Sequence, residues 1–232
     1  MEKIQIPQDA NTIVSTSRKG DQSKWLIGDK WIKENTRGYE NMAEYVAYLI
    51  LDCSTLPRTS FVSYTPCLFE AHFETTDDIL NHTPYSTIDK FKAIMDKVHL
   101  FTELDVSLEV AQMLAFDALI LNEDRHTNNI LFLFNPVKEV WQLAPIFDHG
   151  LSLLSDLKDY PLDKPLSILK RKIKAKLASS FSKQLALYDG EPFLKRSLLL
   201  EKLDQLPYDI GRAREVVFSK IQDMKFQKLF ID

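Results

Sequence analysis

Positions 121–130 read Leu-Asn-Glu-Asp-Arg-His-Thr-Asn-Asn-Ile, and positions 144–150 read Ala-Pro-Ile-Phe-Asp-His-Gly. The first stretch places Asp124 and Asn129 five residues apart, where an apolar helix gives way to an apolar strand. The second stretch places Asp148 just after the following strand. Each of these residues alone is typical of an ordinary turn. Together, and each beside a strongly apolar element, they indicate a single site held between rigid elements.

This order of polar residues suits phosphoryl transfer. One carboxylate, that of Asp124, is expected to orient the attacking hydroxyl, while Asn129 and Asp148 are expected to hold Mg²⁺. Hard cations prefer oxygen ligands, so an amide and a carboxylate are the right chemical types. The pattern therefore predicts a kinase that uses ATP as its substrate and Mg²⁺ as its cofactor.

A lysine and a glutamate upstream complete this prediction. Lys33 lies late in the second strand of a predicted hairpin, and Glu44 lies on the helix that follows. Kinases bind ATP phosphates with a lysine that a helical glutamate holds in place. Along the predicted helix, Glu44 lies near the side that carries the apolar residues. Glu40, on the same helix, is the alternative partner. The competing interpretation is that Lys33 and Glu44 are solvated surface charges.

A loop that covers the phosphates is less clearly marked. The sequence contains neither a G-x-G-x-x-G nor a Walker motif. The polar stretch that contains Ser15, Thr16, Ser17 and Gly20 precedes the first hairpin, where such a loop belongs. Its hydroxyl and backbone N–H groups could approach phosphates. The alternative is a flexible N-terminal segment.

Hydrophobic periodicity predicts an α+β fold. The expected elements are a hairpin at 24–33, a helix at 39–52, strands at 58–64 and 68–73, helices at 88–101 and 108–121, a hairpin at 130–143, and helices at 166–177, 193–203 and 211–229. Strands followed by helices indicate a bilobal, protein-kinase-like arrangement. Residues 1–75 would form a small β-rich N-lobe and residues 76–232 a mostly helical C-lobe, with the polar stretch 75–84 as the hinge.

Three segments of the chain resemble those of one kinase family. Residues 124–129 are similar to the D-R-H-x-x-N catalytic segment of HipA-like Ser/Thr kinases, a group that includes HipA-type toxins and CtkA-type kinases. Residues 143–148 resemble their L-x-P-x-x-D metal-binding segment, and residues 31–45 resemble the region of their phosphate-binding lysine. A related D-R-H-x-x-N occurs in phosphatidylinositol kinases, but those usually show D-F-G where this chain has Asp148-His149-Gly150.

The resemblance implies further expectations. Some HipA-like kinases phosphorylate a serine in the loop before the first hairpin, which makes Ser15, Thr16 or Ser17 an expected autophosphorylation site. The resemblance also implies a protein substrate and a toxin or effector role, with an antitoxin or regulatory partner as a further possibility. His126 is expected to brace the catalytic loop, or to assist the chemistry as in lipid kinases. Full-length HipA proteins carry an additional N-terminal subdomain, so this chain is expected to be a minimal catalytic core.

Composition bounds the partners and the compartment. The chain has 232 residues and a net charge of −4, which favours neither nucleic acid nor an anionic membrane as partner. Lysine and arginine residues cluster at 170–176 and are expected to form a solvated helix face. Two cysteines and the absence of a signal peptide predict a cytoplasmic protein, with secretion by a route that needs no signal peptide as the alternative. The alternatives to a protein kinase are a lipid or small-molecule kinase and a catalytically silent, kinase-like binding module.

Overall fold

The computed structural model describes residues 12–14, 23–27, 30–33, 35–64, 87–207 and 209–231; of residues 12–14, 23–27, 30, 31 and 128 only the backbone is described. Several predicted features lie outside the described residues. These are the strand at 68–73, the hinge at 75–84 with the lobe boundary, and the loop residues Ser15, Thr16, Ser17 and Gly20.

The N-terminal part contains a three-stranded antiparallel sheet and one long helix. Strands β1 (Thr12–Val14), β2 (Ser23–Ile27) and β3 (Lys30–Lys33) are adjacent in that order, and Trp25 pairs with Ile32. The predicted hairpin is therefore confirmed, while β1 was not predicted. Helix α1 (Glu40–Asp52) follows and confirms the predicted helix.

The remainder of the described chain is mostly helical. Its elements are α2 (Thr87–Thr102), α3 (Ser107–Ile120), β4 (Phe132–Asn135), β5 (Val140–Leu143), α4 (Leu166–Lys172), α5 (Phe181–Leu185), β6 (Leu194–Lys195), α6 (Arg196–Asp204), α7 (Gly211–Ile221) and β7 (Phe230–Ile231). Strands β4 and β5 form the predicted hairpin, and β6 pairs with β7 in parallel. None of the helices that the structure describes is long and apolar enough to cross a membrane.

Some predicted elements have different bounds in the structure. Residues 58–64 form a 3₁₀ turn at Arg58–Ser60 and then a single bridge between Phe61 and Ile146, instead of a strand. The helix predicted at 166–177 ends at Lys172 because Ile173 adopts an extended backbone conformation. The helix predicted at 193–203 begins only at Arg196, after β6, and is α6. The helix predicted at 211–229 ends at Ile221 as α7 and is followed by a 3₁₀ helix.

Helix α3 is the centre of the core. Between Val110 and Ile120 every residue except Gln112 is buried, and the helix packs against α5 and α7. Helix α1 packs against α6 and α7, with Val46, Ala47 and Ile50 fully buried. Helix α1, which carries Glu44, and helix α3, which precedes Asp124, are thus fixed by the same apolar core.

Candidate active site

The predicted catalytic loop begins at a left-handed residue. Helix α3 is closed by Leu121, which has φ 58° and ψ 43° and donates its N–H to the carbonyl of Asp117. A left-handed conformation costs a residue with a Cβ about 1–2 kcal/mol, but it ends the helix abruptly. Residues 122–126 then connect α3 to a 3₁₀ turn at Thr127–Asn129.

Arg125 ties this loop to its surroundings. Its guanidinium donates to both carboxylate oxygens of Asp117, at 2.8 and 3.2 Å, and to the carbonyls of Asn129 at 3.0 Å and Phe147 at 2.8 Å. Burial alone would lower the pKa of Arg125, but Asp117 overrides it and the pKa is raised. A permanently charged side chain therefore joins α3, the catalytic loop and the segment before Asp148.

Asn122 makes a second connection between the same three segments. Its amide nitrogen donates to Asp117 at 2.8 Å and reaches the carbonyl of Asp148 at 3.5 Å. Its amide oxygen accepts from the backbone N–H of Asp124 at 3.0 Å. Since Asn122 and Asp117 are both fully buried, these bonds fix the loop with little competition from water.

Asp124 is partly accessible and electrostatically perturbed. Its side chain is 40% exposed, and burial of the remainder raises the pKa of the carboxyl above its ordinary value. His126 opposes this rise, while the charge of Asp148 adds to it. The Nε2 of His126 lies 3.9 Å from Oδ2 of Asp124. A carboxylate with a raised pKa that solvent can reach is suited to accepting a proton from a substrate hydroxyl.

Asn129 and Asp148 present oxygen atoms that fit Mg²⁺. The amide nitrogen of Asn129 donates to the carbonyl of Asp124 at 3.1 Å. This leaves its amide oxygen, the atom that a hard cation needs, without a donor among the described residues. The Asp148 side chain is 36% exposed. Mg²⁺ commonly takes one or two protein ligands and completes its shell with water and phosphate oxygens.

Lys33 connects β3 to both α1 and the Asp148 segment. Its Nζ lies 2.6 Å from Oε1 of Glu44 and 3.1 Å from Oδ1 of Asp148. Burial alone would lower the pKa of Lys33, but the two carboxylates raise it well above its ordinary value. The lysine in turn lowers the pKa of Glu44 against the effect of burial. Lys33 and Glu44 are therefore both charged at neutral pH.

Glu44, and not the alternative Glu40, is the partner of Lys33. The carboxylate of Glu40 instead accepts three bonds from the backbone N–H groups of residues 36–38, at 2.7 to 3.0 Å. The second oxygen of Glu44 accepts from the backbone N–H of His149 at 2.8 Å. Glu44 thus holds Lys33 with one oxygen and the chain just after Asp148 with the other.

Tyr64 supports Asp148 from a third direction. Asp148 has a left-handed φ of 62°, and its N–H donates to the Tyr64 hydroxyl at 3.0 Å. The Nζ of Lys33 lies 5.5 Å from the centroid of the Tyr64 ring, within the range of a cation–π contact. Burial raises the pKa of Tyr64, so its hydroxyl stays protonated. It thereby stabilises an unfavourable backbone conformation at a predicted metal ligand.

The structure brings six of the predicted residues into connected contacts. Lys33, Glu44 and Asp148 form one ion-paired group; Asp124, His126 and Asn129 lie on one short loop; Arg125 and Asn122 join the two groups. Their roles in binding and catalysis stay predictions, as do those of the loop residues 15–20, which lie outside the described residues. A cluster of three or more His, Cys, Asp or Glu side chains that could hold a metal is not found in the described part of the chain.

Three residues that support the site were not predicted. Asp117 could have been noticed, because it is the one charged residue between positions 110 and 121 of a buried helix. Asn122 could have been noticed as a polar residue directly after that helix. Tyr64 carried no local signal, because its contact with Asp148 spans 84 positions of the chain.

Comparison with known proteins supports the fold. No family model matches the chain, and no curated protein matches it. Among solved structures, the chain is similar to the crystal structure of a Helicobacter pylori proinflammatory kinase, CtkA, with a TM-score of 0.52 and 16% sequence identity. The alignment covers 89% of this chain and 90% of that chain. The chain therefore has an α+β, kinase-like fold, and a likeness at this level of identity describes the fold alone.

Proposed function

We propose that the protein is an ATP- and Mg²⁺-dependent Ser/Thr protein kinase of the HipA-like type. The observation that carries this proposal is the contact of one ammonium group, that of Lys33, with both Glu44 and Asp148. A module that only binds a partner does not need a buried glutamate, here Glu44, that orients Lys33 toward the second carboxylate, that of Asp148. The Lys33–Glu44 pair is the ion pair that holds a phosphate-binding lysine in kinases, and the contact with Asp148 puts that lysine beside the predicted metal ligand.

Each residue then has a defined role. Lys33 contacts phosphate oxygens of ATP, and Glu44 keeps its ammonium in place. Asn129 and Asp148 hold Mg²⁺, which when bound neutralises charge on the phosphates. Asp124 orients the substrate hydroxyl and accepts its proton. The bond between the γ-phosphorus and the oxygen of the ADP leaving group breaks, while a bond from that phosphorus to the substrate oxygen forms.

The loop that contains Ser15, Thr16, Ser17 and Gly20 is proposed to cover the phosphates and to carry an autophosphorylation site. This part of the proposal rests on the position of the loop before β2 and on the sequence resemblance. The substrate is proposed to be a protein, with a toxin or effector role and a regulatory partner as further parts of the same proposal. Mass spectrometry of residues 11–23 after incubation with Mg-ATP tests the loop, and unmodified peptides would contradict autophosphorylation there.

The test of the site is phosphate transfer from labelled Mg-ATP. Wild-type protein is incubated alone, with cell lysate and with phosphatidylinositol vesicles, beside the variants Asp124→Asn and Asp148→Asn. Asp163→Asn is the matched control, because Asp163 is an exposed aspartate outside the site. We expect labelled protein with wild type and control, and a loss of about 10²–10⁴-fold in both site variants.

The possible outcomes separate the candidate functions. Equal labelling by wild type and by the two site variants would contradict the assigned site. Labelled lipid without labelled protein would favour a lipid kinase, which shares the D-R-H-x-x-N pattern. Absence of any transfer, together with unchanged nucleotide binding in the variants, would favour a binding module.

A further inference from the structure

Arg171 and Lys172 are exposed on α4, as the predicted solvated helix face requires, but the basic stretch beyond Lys172 is not helical. Beyond Lys172 the chain is extended, so that Ile173 and Ala175 are buried while Lys174 and Lys176 are exposed. The α5 segment that follows is anchored on α3, because the Gln184 side chain is buried and donates to the carbonyl of Leu114 at 2.8 Å. Lysines on this stretch are therefore held at defined positions.

Lys176 of this stretch lines a cavity with a volume of about 350 Å³, together with Lys90 of α2 and Lys183 of α5. It is bordered by residues of α2, of the extended stretch and of α5, and we call it the basic cavity: Thr87, Lys90, Lys176, Leu177, Ala178, Ser179 and Lys183. Each charged side chain among these lining residues is a lysine. The volume is at the lower end of the range of ligand pockets, about 300–1,000 Å³.

The ammonium groups of the basic cavity are not used within the described structure. Lys164, Lys172 and Lys202 each form an ion pair with an aspartate. In contrast, Lys90, Lys176 and Lys183 have no carboxylate partner in the part of the chain that the structure describes. Three cations gathered on one concave surface of a chain with a net charge of −4 raise the local concentration of anionic partners.

The basic cavity lies beside the candidate catalytic loop. Thr87 and Leu177, which line the basic cavity, also line a small apolar cavity together with Ile130. Ile130 directly follows Asn129 of the candidate catalytic loop. A side chain bound in the basic cavity would therefore lie near the loop that carries Asp124 and Asn129.

We propose that the basic cavity selects protein substrates that carry aspartate or glutamate side chains next to the phosphorylated serine or threonine. This inference rests on the proposed kinase function. The ammonium groups of the three lining lysines are point charges that attract carboxylates. The apolar Leu177 and Ala178 can contact the methylene groups of a glutamate.

The inference is tested with two pairs of serine peptides, and the members of each pair differ in charge alone. In the acidic peptides three glutamates lie before, or in a second version after, the serine; in the neutral peptides glutamine replaces each of them. Binding is measured by fluorescence anisotropy without ATP, and phosphorylation as kcat/KM with Mg-ATP. We expect wild type to prefer one acidic peptide by about tenfold, since exposed ion pairs contribute modestly each, and to lose this preference in high salt.

Charge reversal identifies the surface. The variants Lys176→Glu and Lys183→Glu are expected to bind the acidic and the neutral peptide with similar affinity, so that the ratio of the two affinities falls to about one. The matched controls Arg171→Glu and Lys174→Glu change charge equally on exposed neighbours that do not line the cavity, and they should keep that ratio. Both pairs should melt at wild-type temperature, which separates misfolding from lost recognition.

Two kinds of failure are distinguishable. Equal binding of acidic and neutral peptides by wild type, or an unchanged preference in Lys176→Glu and Lys183→Glu, would overturn the inference whatever the catalytic activity. Binding to phosphatidylserine vesicles but not to peptides would overturn it in favour of a membrane surface. Selective binding of acidic peptide without any phosphate transfer would support the basic cavity and contradict the proposed kinase function.

Discussion

The guanidinium of Arg125 and the carboxylate of Asp117 form an ion pair in which neither side chain is more than 1% exposed. One partner lies on the core helix and the other in the candidate catalytic loop. Removing one charge would leave the other buried and uncompensated, which typically costs about 3–5 kcal/mol. The pair therefore connects the stability of the core with the geometry of the site.

We predict that Arg125→Met lowers the free energy of unfolding by about 3–5 kcal/mol. Adding Asp117→Asn to this variant should restore part of the loss, because no unpaired charge is then buried. Urea unfolding of the two single variants and the double variant measures the coupling. Lys172→Ala, which breaks an exposed ion pair with Asp159, should cost less than about 1 kcal/mol. Additive losses in the double variant would contradict the prediction.

The periodic spacing of apolar residues correctly predicted those helices and strands whose position depends mainly on their own sequence. The β2–β3 hairpin and helices α1 and α3 follow from apolar patterns that their own residues repeat. The helix predicted at 166–177 was too long because Leu169, Ile173 and Leu177 are four positions apart and imitate a helical face. The segment after Lys172 instead buries every second residue, as an extended chain does. Ile173 fits both this period of two and the helical period of about four. Sequence alone could not decide between them.

The same distinction holds for the candidate site. Lys33 and Glu44 are separated by 11 positions on adjacent elements, so their pairing could be predicted. The bond from Asp148 to Tyr64 joins segments that only the tertiary structure brings together, through the bridge of Phe61 and Ile146. No local pattern marks such a contact. The supporting residues of a site are therefore harder to predict than its reactive residues.

We predict that Tyr64→Phe reduces the proposed kinase activity by about tenfold, an effect of the size of one lost hydrogen bond. The phenylalanine keeps the ring beside Lys33 but cannot accept from the Asp148 N–H. Because Asp148 is proposed to hold Mg²⁺, the variant should require a higher Mg²⁺ concentration for half-maximal rate. Tyr48→Phe, in a half-buried tyrosine of α1, is the matched control. An unchanged Mg²⁺ dependence would show that the hydroxyl does not position Asp148.

We predict that Lys33→Met destabilises the fold at neutral pH but much less in acid. The pKa of Glu44 is held below its ordinary value of 4.5, so the stability from its charged form is present above that pH and is lost as the pH falls further. The Lys33 contribution is complete below its ordinary value of 10.5. Lys33 is 32% exposed, so we expect a loss of about 1–3 kcal/mol at pH 7.

Urea unfolding of wild type and Lys33→Met at pH 7 and pH 3.5 checks this prediction. The difference between the two proteins should shrink at the lower pH, where Glu44 is mostly protonated in the unfolded chain. Lys33→Arg keeps the charge and is the control; it should lose less stability than Lys33→Met. A difference independent of pH would mean that Lys33 contributes by packing and not by its ion pair with Glu44.

We predict that Lys220→Met stabilises the protein below pH 7. Lys220 is buried, and its Nζ makes a bond of 3.1 Å to the carbonyl of Ala118 and lies 4.2 Å from the Phe226 ring centroid. Burial lowers its pKa from 10.5 to about 7, and the nearby charge of Lys170 adds to this effect. Between these two pH values the unfolded chain binds more protons than the folded one, so stability rises with pH.

The methionine variant should abolish this rise, because it cannot be protonated. At pH 6 it should be more stable than wild type by about 2–4 kcal/mol, less the value of the lost hydrogen bond, and at pH 10 the two should be similar. Unfolding by urea across this range measures both curves. Lys92→Met, at an exposed lysine of α2, is the control and should leave the slope unchanged. A wild-type stability that is flat from pH 7 to 10 would show that Lys220 stays charged in its buried position, with Ala118 and Phe226 as sufficient partners.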